Sequence, residues 1–320
     1  MTPEFVVISH IVNETINFAD RTVEGVLGSP TAYASVVAGR LGMRTGVVTK
    51  IGPDLPPNFL KAFEEANVDT RGIKVEGKDT THSLLIYDEW ENKIILYPKK
   101  APPLLFEDIP QEYLGAKMVY ICPMDHDVPL ETIKALYQQG ISLAADIGGY
   151  GGAHSTKHPG EKEKKTRRII EELIKHFHIV KASSEDSRHL FGAKEGMEEE
   201  MAELIVNLGA GISIVTLGEK GSVVSSKNRT FRMPAFPSEV KDCTGAGDVY
   251  MAGFLVEYLR TKDVWESALF ASATASIVIE GTGGVLAARM PTTSEVEKRI
   301  SKVSLKDYEK AKYPLTTNKG

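Results

Sequence analysis

Short apolar runs alternate with stretches of helical periodicity along most of this chain. Such runs are typical of strands that are covered on both faces, and parallel strands need helical crossovers between them. The pattern therefore predicts an α/β fold in which helices cover both faces of a mostly parallel sheet. The predicted strands are residues 5–9, 45–50, 118–121, 142–146, 179–182 and 212–216. The predicted helices are residues 31–41, 56–66, 129–138, 166–176, 194–208, 248–260 and 264–279.

Two segments, residues 13–27 and 72–97, depart from this alternation of strands and helices. They alternate polar and apolar residues as half-covered strands do, and residues 88–92 resemble a hairpin turn. We predict that they form one small antiparallel sheet that acts as a lid. Residues 1–12, 28–71 and 98–313 would then make the large domain, and residues 314–320 a frayed tail.

Composition excludes several classes of protein. The 320 residues are 42% hydrophobic and 25% charged, with no apolar run as long as a membrane span. A formal net charge of -5 argues against a nucleic-acid partner, which requires a basic face. The two cysteines, Cys122 and Cys243, have neither a disulfide framework nor metal-ligand spacing. The first residues carry no basic leader, so we expect a cytoplasmic protein.

The most informative string is Asp-Cys-Thr-Gly-Ala-Gly-Asp at residues 242–248, directly before an apolar helix. Gly245, Ala246 and Gly247 are small, so their N–H groups can turn toward a phosphate oxygen at the positive end of that helix. Asp248 can then take a proton from a hydroxyl beside that phosphate. A kinase for small alcohols needs this combination of anion hole and general base. An ordinary strand-to-helix turn with an acidic first-turn residue is the alternative.

The same string, late in the chain and in a Val/Ala/Gly-rich context, resembles the signature of the ribokinase-like (PfkB) carbohydrate kinase family. The similarity extends from about residue 6 to residue 293. The sequence contains neither a Gly-x4-Gly-Lys-Ser/Thr phosphate-binding loop nor a complete dinucleotide-binding fingerprint, so no other nucleotide-binding motif is indicated. The resemblance implies a three-layer α/β/α sandwich with a small β lid, and ATP with Mg2+ as the phosphoryl donor.

The resemblance also implies donor-site residues. Residues 216–222 look like the family's second nucleotide-contact segment, although Gly-Glu-Lys-Gly is equally a common hairpin turn. Residues 270–284 align with the helix and loop on the adenine side, where a serine would face the base. The implied donor residues are Thr216, Gly218, Gly221, Ser272 and Gly283.

Two ion sites follow from the resemblance. Where the family has its metal-linked Asn-x-x-Glu motif, this chain has Ser183 and Asp186, and the shorter carboxylate of Asp186 could organise a hydrated Mg2+. Family members often hold a monovalent cation beside the anion loop. Asp242 and Thr244 match the residues that hold it.

The acceptor side departs most from the family pattern. An Asp that grips substrate hydroxyls is replaced by Glu14, and Ser29 and Tyr33 replace the second Gly and the Asn of a di-glycine hinge. Asp146 precedes Ile-Gly-Gly-Tyr where the family has Pro-Asn-x-Arg. The implied acceptor residues are Asn13, Glu14, Gly28, Ser29, Tyr33, Asp146 and Asp248.

The aromatic residue Tyr33, the opening His-Ile-Val-Asn-Glu at residues 10–14 and the string Lys-Ala-Ser-Ser-Glu at residues 181–185 resemble the myo-inositol kinase branch, known from plants and archaea. Glu14 and Asn13 could give bidentate hydrogen bonds to neutral ring hydroxyls while Tyr33 packs on a ring face. The alternatives are a buried core position for Tyr33 and a turn-forming role for Asn13. We therefore predict a kinase that transfers the γ-phosphoryl group of ATP to a polyol, with myo-inositol as the expected acceptor.

Other functions stay open at this point. A nucleoside kinase or another sugar kinase shares the fold and the base, and Tyr87 and Trp90 on the lid could stack on a nucleobase. A non-catalytic sugar-binding regulator could also use the fold. An oxidoreductase lacks the required glycine fingerprint. A homodimer could form through apolar lid residues, for which the candidates are Leu84, Ile94 and Leu96.

Overall fold

The computed structural model describes residues 2–18, 20–87, 93–153, 155–156, 164–304 and 308. The predicted turn at 88–92, with Trp90, and the predicted tail at 314–320 lie outside these residues. The strands are β1 (Phe5–Ile8), β2 (Val12–Asn17), β3 (Thr22–Gly28), β4 (Thr45–Ile51), β5 (Asp69–Val75), β6 (Thr81–Tyr87), β7 (Lys93–Lys99), β8 (Met118–Ile121), β9 (Leu143–Asp146), β10 (Ile179–Ser183), β11 (Ile212–Thr216), β12 (Ser222–Ser226) and β13 (Arg229–Met233). The helices are α1 (Pro30–Arg40), α2 (Leu60–Glu65), α3 (Leu130–Gln138), α4 (Lys164–Ile174), α5 (Ser184–Phe191), α6 (Glu198–Asn207), α7 (Ala246–Thr261), α8 (Val264–Val278) and α9 (Thr293–Ser301).

Nine of the described strands form one large sheet in the order β13-β12-β11-β10-β9-β8-β1-β4-β5. Its neighbouring strands pair in parallel except at one edge, where β12 runs opposite to both β11 and β13. Residues of β1 alternate between two cores: Phe5 and Val7 pack with α1, α2, α7, α8 and α9, whereas Val6 and Ile8 pack with α3 to α6. The predicted three-layer α/β/α architecture is confirmed.

The parallel strands bring their carboxyl ends to one edge of the sheet, which is where ligands bind in open α/β folds. Polar groups follow several of these strands: Ser9 comes after β1, Asp146 ends β9 and Ser183 ends β10. Helix α7 packs against α1 and α8. No helix in the described part of the chain is long and apolar enough to cross a lipid bilayer.

A second, smaller sheet has the order β3-β2-β6-β7. Its outer pairs are antiparallel, and its central pair β2–β6 is parallel. The lid boundary predicted at residue 72 needs correction, because β5 pairs with β4 in the large sheet. β5 is the edge strand of that sheet and only Gly72 in it is buried, so its sequence lacks the apolar run of the central strands and resembles a lid strand.

Asp125, in the loop after β8, ties three segments together. Its Oδ1 accepts hydrogen bonds from Ser155 Oγ at 2.8 Å and from the Thr156 N–H at 2.9 Å. Its Oδ2 accepts from Thr156 Oγ1 at 2.5 Å and pairs with the Lys100 ammonium beyond the end of β7. Asp125 therefore joins the small sheet to the loops of the large domain.

This carboxylate should make the protein sensitive to acid. Burial opposes its ionisation, but the ammonium and hydroxyl groups around it outweigh that effect and lower the pKa of Asp125 to about 2. An unfolded aspartate titrates at about pH 3.9. The stabilising contribution of Asp125 is therefore present above that pH and is lost as the pH falls toward about 2.

We expect Asp125→Asn to be less stable than the wild type at neutral pH and to lose less stability on acidification. Urea unfolding midpoints between neutral pH and about pH 2 check this, with the exposed Asp20→Asn as the control. Equal acid sensitivity in Asp125→Asn and the wild type would contradict it.

Candidate active site

The predicted anion loop leads directly into α7. Gly245 has a left-handed φ of 79° and caps the helix, whose sixteen residues begin at Ala246. The Ala246 N–H, predicted to bind phosphate, instead donates to the Cys243 carbonyl at 3.1 Å and so tightens the turn. Asp248 lies in the first helical turn and is half-buried. The residues predicted for catalysis thus lie together at the positive end of one helix.

Tyr33, on α1, packs beneath this loop. A Cβ atom added to Gly245 would lie 2.6 Å from carbon atoms of the Tyr33 ring. The side chain of Tyr33 is only 2% exposed, and its hydroxyl accepts a hydrogen bond from Arg289 Nη1 at 3.3 Å. Burial raises the pKa of the Tyr33 hydroxyl. Of the two roles considered for Tyr33, this position favours packing under the loop over stacking on a substrate ring.

Gly245→Ala should therefore damage the loop in two ways. The left-handed backbone costs an alanine about 1–2 kcal/mol, and the methyl group collides with the Tyr33 ring. Gly140→Ala is a matched control, because Gly140 has a similar φ of 74° but nothing within 4 Å of its added Cβ. We expect Gly245→Ala to be the less stable variant in urea unfolding and to lose at least about tenfold in turnover. Equal stability losses with full activity in both variants would contradict this placement.

Lys181 lies beside the anion loop and was not among the predicted site residues. It is paired in register with Asp146 on the neighbouring strand, so both side chains point to the same face of the sheet. Lys181 Nζ is 2.6 Å from Asp146 Oδ2, and both residues are buried. The same Nζ lies 3.0 Å from the position of a Cβ atom added to Gly247. The ammonium group therefore reaches the first turn of α7.

The electrostatics of this position keep Lys181 charged. Burial acts to lower the pKa of the Lys181 ammonium, but the charges of Asp146 and Asp248 outweigh it and raise that pKa. A fixed positive charge next to an anion loop can stabilise a transferring phosphoryl group. The signal in the sequence was a lysine between apolar residues of strand β10, since a buried parallel strand is normally apolar.

Ser183 and Asp186 form the cap of α5. Asp186 Oδ2 accepts from the Ser183 N–H at 3.0 Å and from Ser183 Oγ at 2.6 Å, while Oδ1 accepts from the Ala153 N–H at 3.0 Å. Both carboxylate oxygens are thus engaged by the chain itself. Among the described residues, no group of three His, Cys, Asp or Glu side chains could hold a metal ion. Water-mediated Mg2+ binding by Asp186 stays a prediction, with the ion arriving as part of MgATP.

The predicted donor residues do not share one environment. Gly218–Lys220 is an exposed turn that joins β11 to the antiparallel β12, so the hairpin interpretation describes the fold, and half-buried Thr216 stands at its start. Gly221 is required by packing, because an added Cβ would lie 2.0 Å from the Met233 carbonyl oxygen. Gly283 is exposed.

Ser272 is placed differently from the expectation. It is 5% exposed in α8, and its Oγ donates to the Pro234 carbonyl at 2.9 Å. Its hydroxyl is therefore already committed to the backbone.

On the acceptor side, Glu14 on β2 is buried and accepts a hydrogen bond from Ser83 Oγ at 3.0 Å. Its carboxylate lies over Gly28, where an added Cβ would be 2.9 Å from Oε2. Asn13 precedes Glu14 on the same strand, and successive side chains of a strand point to opposite faces. The two predicted ligands therefore do not face the same space. Asn13 Oδ1 is buried and has no hydrogen-bond partner among the described residues.

Two further predicted acceptor residues already hold the local structure. Ser29 keeps the glycine-like φ of 98°, and its Oγ accepts from the Ala32 N–H at 3.1 Å, which caps α1. Asp146 accepts from the Gly148 N–H at 3.0 Å in addition to its pair with Lys181. Asp146 thus positions Lys181 as well as lying at the predicted site.

Tyr97, on β7, is a neighbour of Glu14 that the sequence did not indicate. Its hydroxyl donates to the Met124 carbonyl at 3.3 Å. Burial raises the pKa of the Tyr97 hydroxyl, and the negative charges of Asp125, Asp127 and Glu14 add to that effect. Three carboxylates therefore lie near the Tyr97 hydroxyl.

Comparison with known proteins agrees with this geometry. A model of the pfkB family of carbohydrate kinases matches residues 6–291. The chain is 29% identical over 268 residues to a cytidine kinase from Thermococcus kodakarensis, covering 82% of this chain and 91% of the relative.

Solved structures share the fold. Arabidopsis thaliana ribokinase, complexed with ribose and ATP, matches with a TM-score of 0.76 and 21% identity over 95% of this chain and all of that chain. A pyrophosphate-dependent kinase of the ribokinase family, complexed with a pyrophosphate analog and myo-inositol, matches with a TM-score of 0.73 and 20% identity, covering 89% of this chain and 98% of that chain. With the family model spanning most of its length, the chain belongs to the pfkB family of carbohydrate kinases and is a phosphotransferase with a hydroxyl group as acceptor.

Proposed function

We propose that this enzyme transfers the γ-phosphoryl group of MgATP to a hydroxyl of a neutral polyol, with myo-inositol as the acceptor. The observation that carries the proposal is the buried carboxylate of Glu14, held by Ser83 above Gly28. A carboxylate accepts hydrogen bonds from two adjacent hydroxyls, which a cyclitol ring presents.

The transfer needs little covalent chemistry from the protein. Asp248 accepts the proton of the attacking hydroxyl as its oxygen forms a bond to the γ-phosphorus. The bond from that phosphorus to the bridging oxygen breaks, and ADP leaves with the electron pair. The first turn of α7 and the Lys181 ammonium stabilise the charge on the phosphoryl group during transfer. The proton on Asp248 returns to water after the products leave.

The small sheet has a second part in the proposal, as a lid. Glu14 lies on β2 and Ser83 on β6, both strands of the small sheet. Closure of this sheet over the acceptor therefore brings the Glu14 carboxylate to the substrate hydroxyls. Closure also excludes water, which would otherwise compete for the γ-phosphoryl group.

The outer face of this lid fits a homodimer. Leu84 pairs with Leu96, and Ile86 with Ile94, across β6 and β7. Ile94 is 60% exposed and Leu96 46% exposed. An apolar sheet face of this kind needs a cover, and a second copy supplies one by symmetry. We expect sedimentation equilibrium to give a dimer for the wild type and a monomer for Leu96→Arg, and a monomeric wild type would contradict this part of the proposal.

A nucleoside is the second candidate acceptor. Its support is the 29% identity to a cytidine kinase. A nucleoside also presents adjacent neutral hydroxyls, on its ribose, so Glu14 alone does not separate it from a cyclitol.

An acceptor comparison separates the two. ADP release from MgATP would be measured with myo-inositol, ribose, fructose, cytidine and adenosine, for the wild type and for Glu14→Gln. We expect the highest kcat/KM with myo-inositol, and in Glu14→Gln a KM raised at least about tenfold with a smaller change in kcat. The exposed Glu24→Gln is the control. A higher kcat/KM with cytidine than with myo-inositol would show that a nucleoside, and not a cyclitol, is the acceptor. Repeating the assay with pyrophosphate in place of ATP would test the donor.

A further inference from the structure

Arg289 is a buried arginine that has no part in the predicted anion loop or in the predicted acceptor site. Its side chain is 4% exposed and lies between the end of α8 and the start of the anion loop. Nε donates to the Val278 carbonyl at 3.0 Å, Nη1 to the Gly284 carbonyl at 3.1 Å, and Nη2 to the Asp242 carbonyl at 3.0 Å. Nη1 also lies 3.4 Å from Asp242 Oδ2 and 3.3 Å from the Tyr33 hydroxyl. Backbone and carboxylate oxygens thus converge on one permanent positive charge.

Asp242 is the residue through which the family resemblance implied a monovalent cation. Its main-chain oxygen and its Oδ2 face the Arg289 guanidinium, and its Oδ1 accepts from the Thr244 N–H at 2.8 Å. All three oxygens of Asp242 therefore have donors from the chain. A K+ or Na+ ion would have to share them with a like charge, so these residues do not fit a bound monovalent cation.

We infer that the Arg289 guanidinium takes the place of the monovalent cation beside the anion loop, so that the enzyme works without K+ or Na+. The charge acts on the loop through two contacts. Arg289 holds Asp242, which precedes the loop, and it binds the hydroxyl of Tyr33, whose ring supports Gly245. Arg289 is thus a positioning residue, because it contacts the groups that shape the anion hole.

The guanidinium also offsets a concentration of negative partial charge. The carbonyl of Val278, the last residue of α8, accepts from its Nε, and the negative end of a helix dipole attracts a cation. The backbone N–H groups of Lys241 and Asp242 donate to the Ile279 carbonyl at 2.8 and 3.1 Å, so the same helix end anchors the approach to the loop. Removing the arginine should leave these oxygens facing each other with no cation between them.

The test compares salts at constant ionic strength. Turnover with MgATP and the best acceptor, and the melting temperature without substrates, would be measured in KCl, NaCl and tetramethylammonium chloride for the wild type, Arg289→Met and Arg289→Lys. We expect wild-type turnover to differ by less than about twofold among the salts. Arg289→Met should lose at least about tenfold in tetramethylammonium chloride and regain part of it, saturably, in KCl or NaCl. Its melting temperature should rise in the same salts, whereas Arg289→Lys should not respond.

The control is Arg299→Ala. Arg299 pairs with Glu280, close to the same helix end, but is separate from Asp242, so its removal should create no response to K+. Saturable activation of the wild type by K+ would overturn the inference, as would an Arg289→Met protein whose turnover and melting temperature both ignore K+ and Na+. If Arg289→Met does not fold, the wild type and Arg289→Lys still decide the question. The activity readout rests on the proposed function, but the melting temperatures report on the cation even if no acceptor is turned over.

Discussion

Asp248→Asn is expected to lower turnover by about 10²–10⁴-fold, the range typical of a lost general base. An asparagine side chain has nearly the same shape but does not accept the proton of the attacking hydroxyl. The substitution leaves the backbone N–H groups of Gly245 and Gly247 in place, so MgATP should bind with an affinity close to that of the wild type. Steady-state turnover and equilibrium nucleotide binding on the same preparation check both parts.

The control for Asp248→Asn is Glu266→Gln. Glu266 is an exposed acidic residue in the first turn of α8, the helix that packs beside α7. If Asp248 were only a favourable partner for a helix dipole, the two variants would behave alike and cost a few tenths to about 1 kcal/mol of stability. Retained turnover in Asp248→Asn would contradict its assignment as the base.

Lys181→Met is expected to affect both stability and turnover. Removing the ammonium leaves the buried carboxylate of Asp146 without its ion-pair partner, and breaking such a pair costs about 3–5 kcal/mol. Turnover should fall as well, because the phosphoryl group loses a positive charge beside Gly247. The double variant Lys181→Met/Asp146→Asn should recover part of the stability but not the turnover. Urea unfolding and ADP release measure the two effects separately.

Lys50→Met separates these two roles. Lys50, on β4, is also a buried lysine in a parallel strand, and its Nζ lies 2.8 Å from Asp108 Oδ2. Its partners Asp108 and Glu76 are not among the residues of the predicted site. We expect a comparable loss of stability with unchanged turnover for the folded protein. If Lys181→Met and Lys50→Met lost turnover equally, the proposed part of Lys181 in phosphoryl transfer would be wrong.

The sequence allowed the large sheet to be predicted because buried parallel strands are apolar on both faces. β8, with four consecutive buried residues, is found where the pattern placed it. The sequence pattern places β5 in the lid, because the polar and partly exposed residues of an edge strand do not show which strand it pairs with. Helix α5 was not predicted, since a helix of eight residues with a polar start gives a weak periodic signal.

The anion loop was predictable because its conformation depends on neighbouring residues and on glycine at a left-handed position. The directions of Tyr33 and Ser272 depend on how α1 and α8 pack, which a local pattern does not contain. The side chains of Arg289 and Tyr33 form a hydrogen bond, although the two residues are 256 positions apart in the chain. Such a contact follows only from the assembled fold.

Phosphorus NMR of a reaction containing MgATP, myo-inositol and the wild-type protein tests the central proposal most directly. We expect a phosphomonoester of the acceptor that forms in equal amount with ADP and is absent when the acceptor is omitted. ADP formed only together with inorganic phosphate, at a rate independent of the acceptor, would contradict phosphoryl transfer to this polyol.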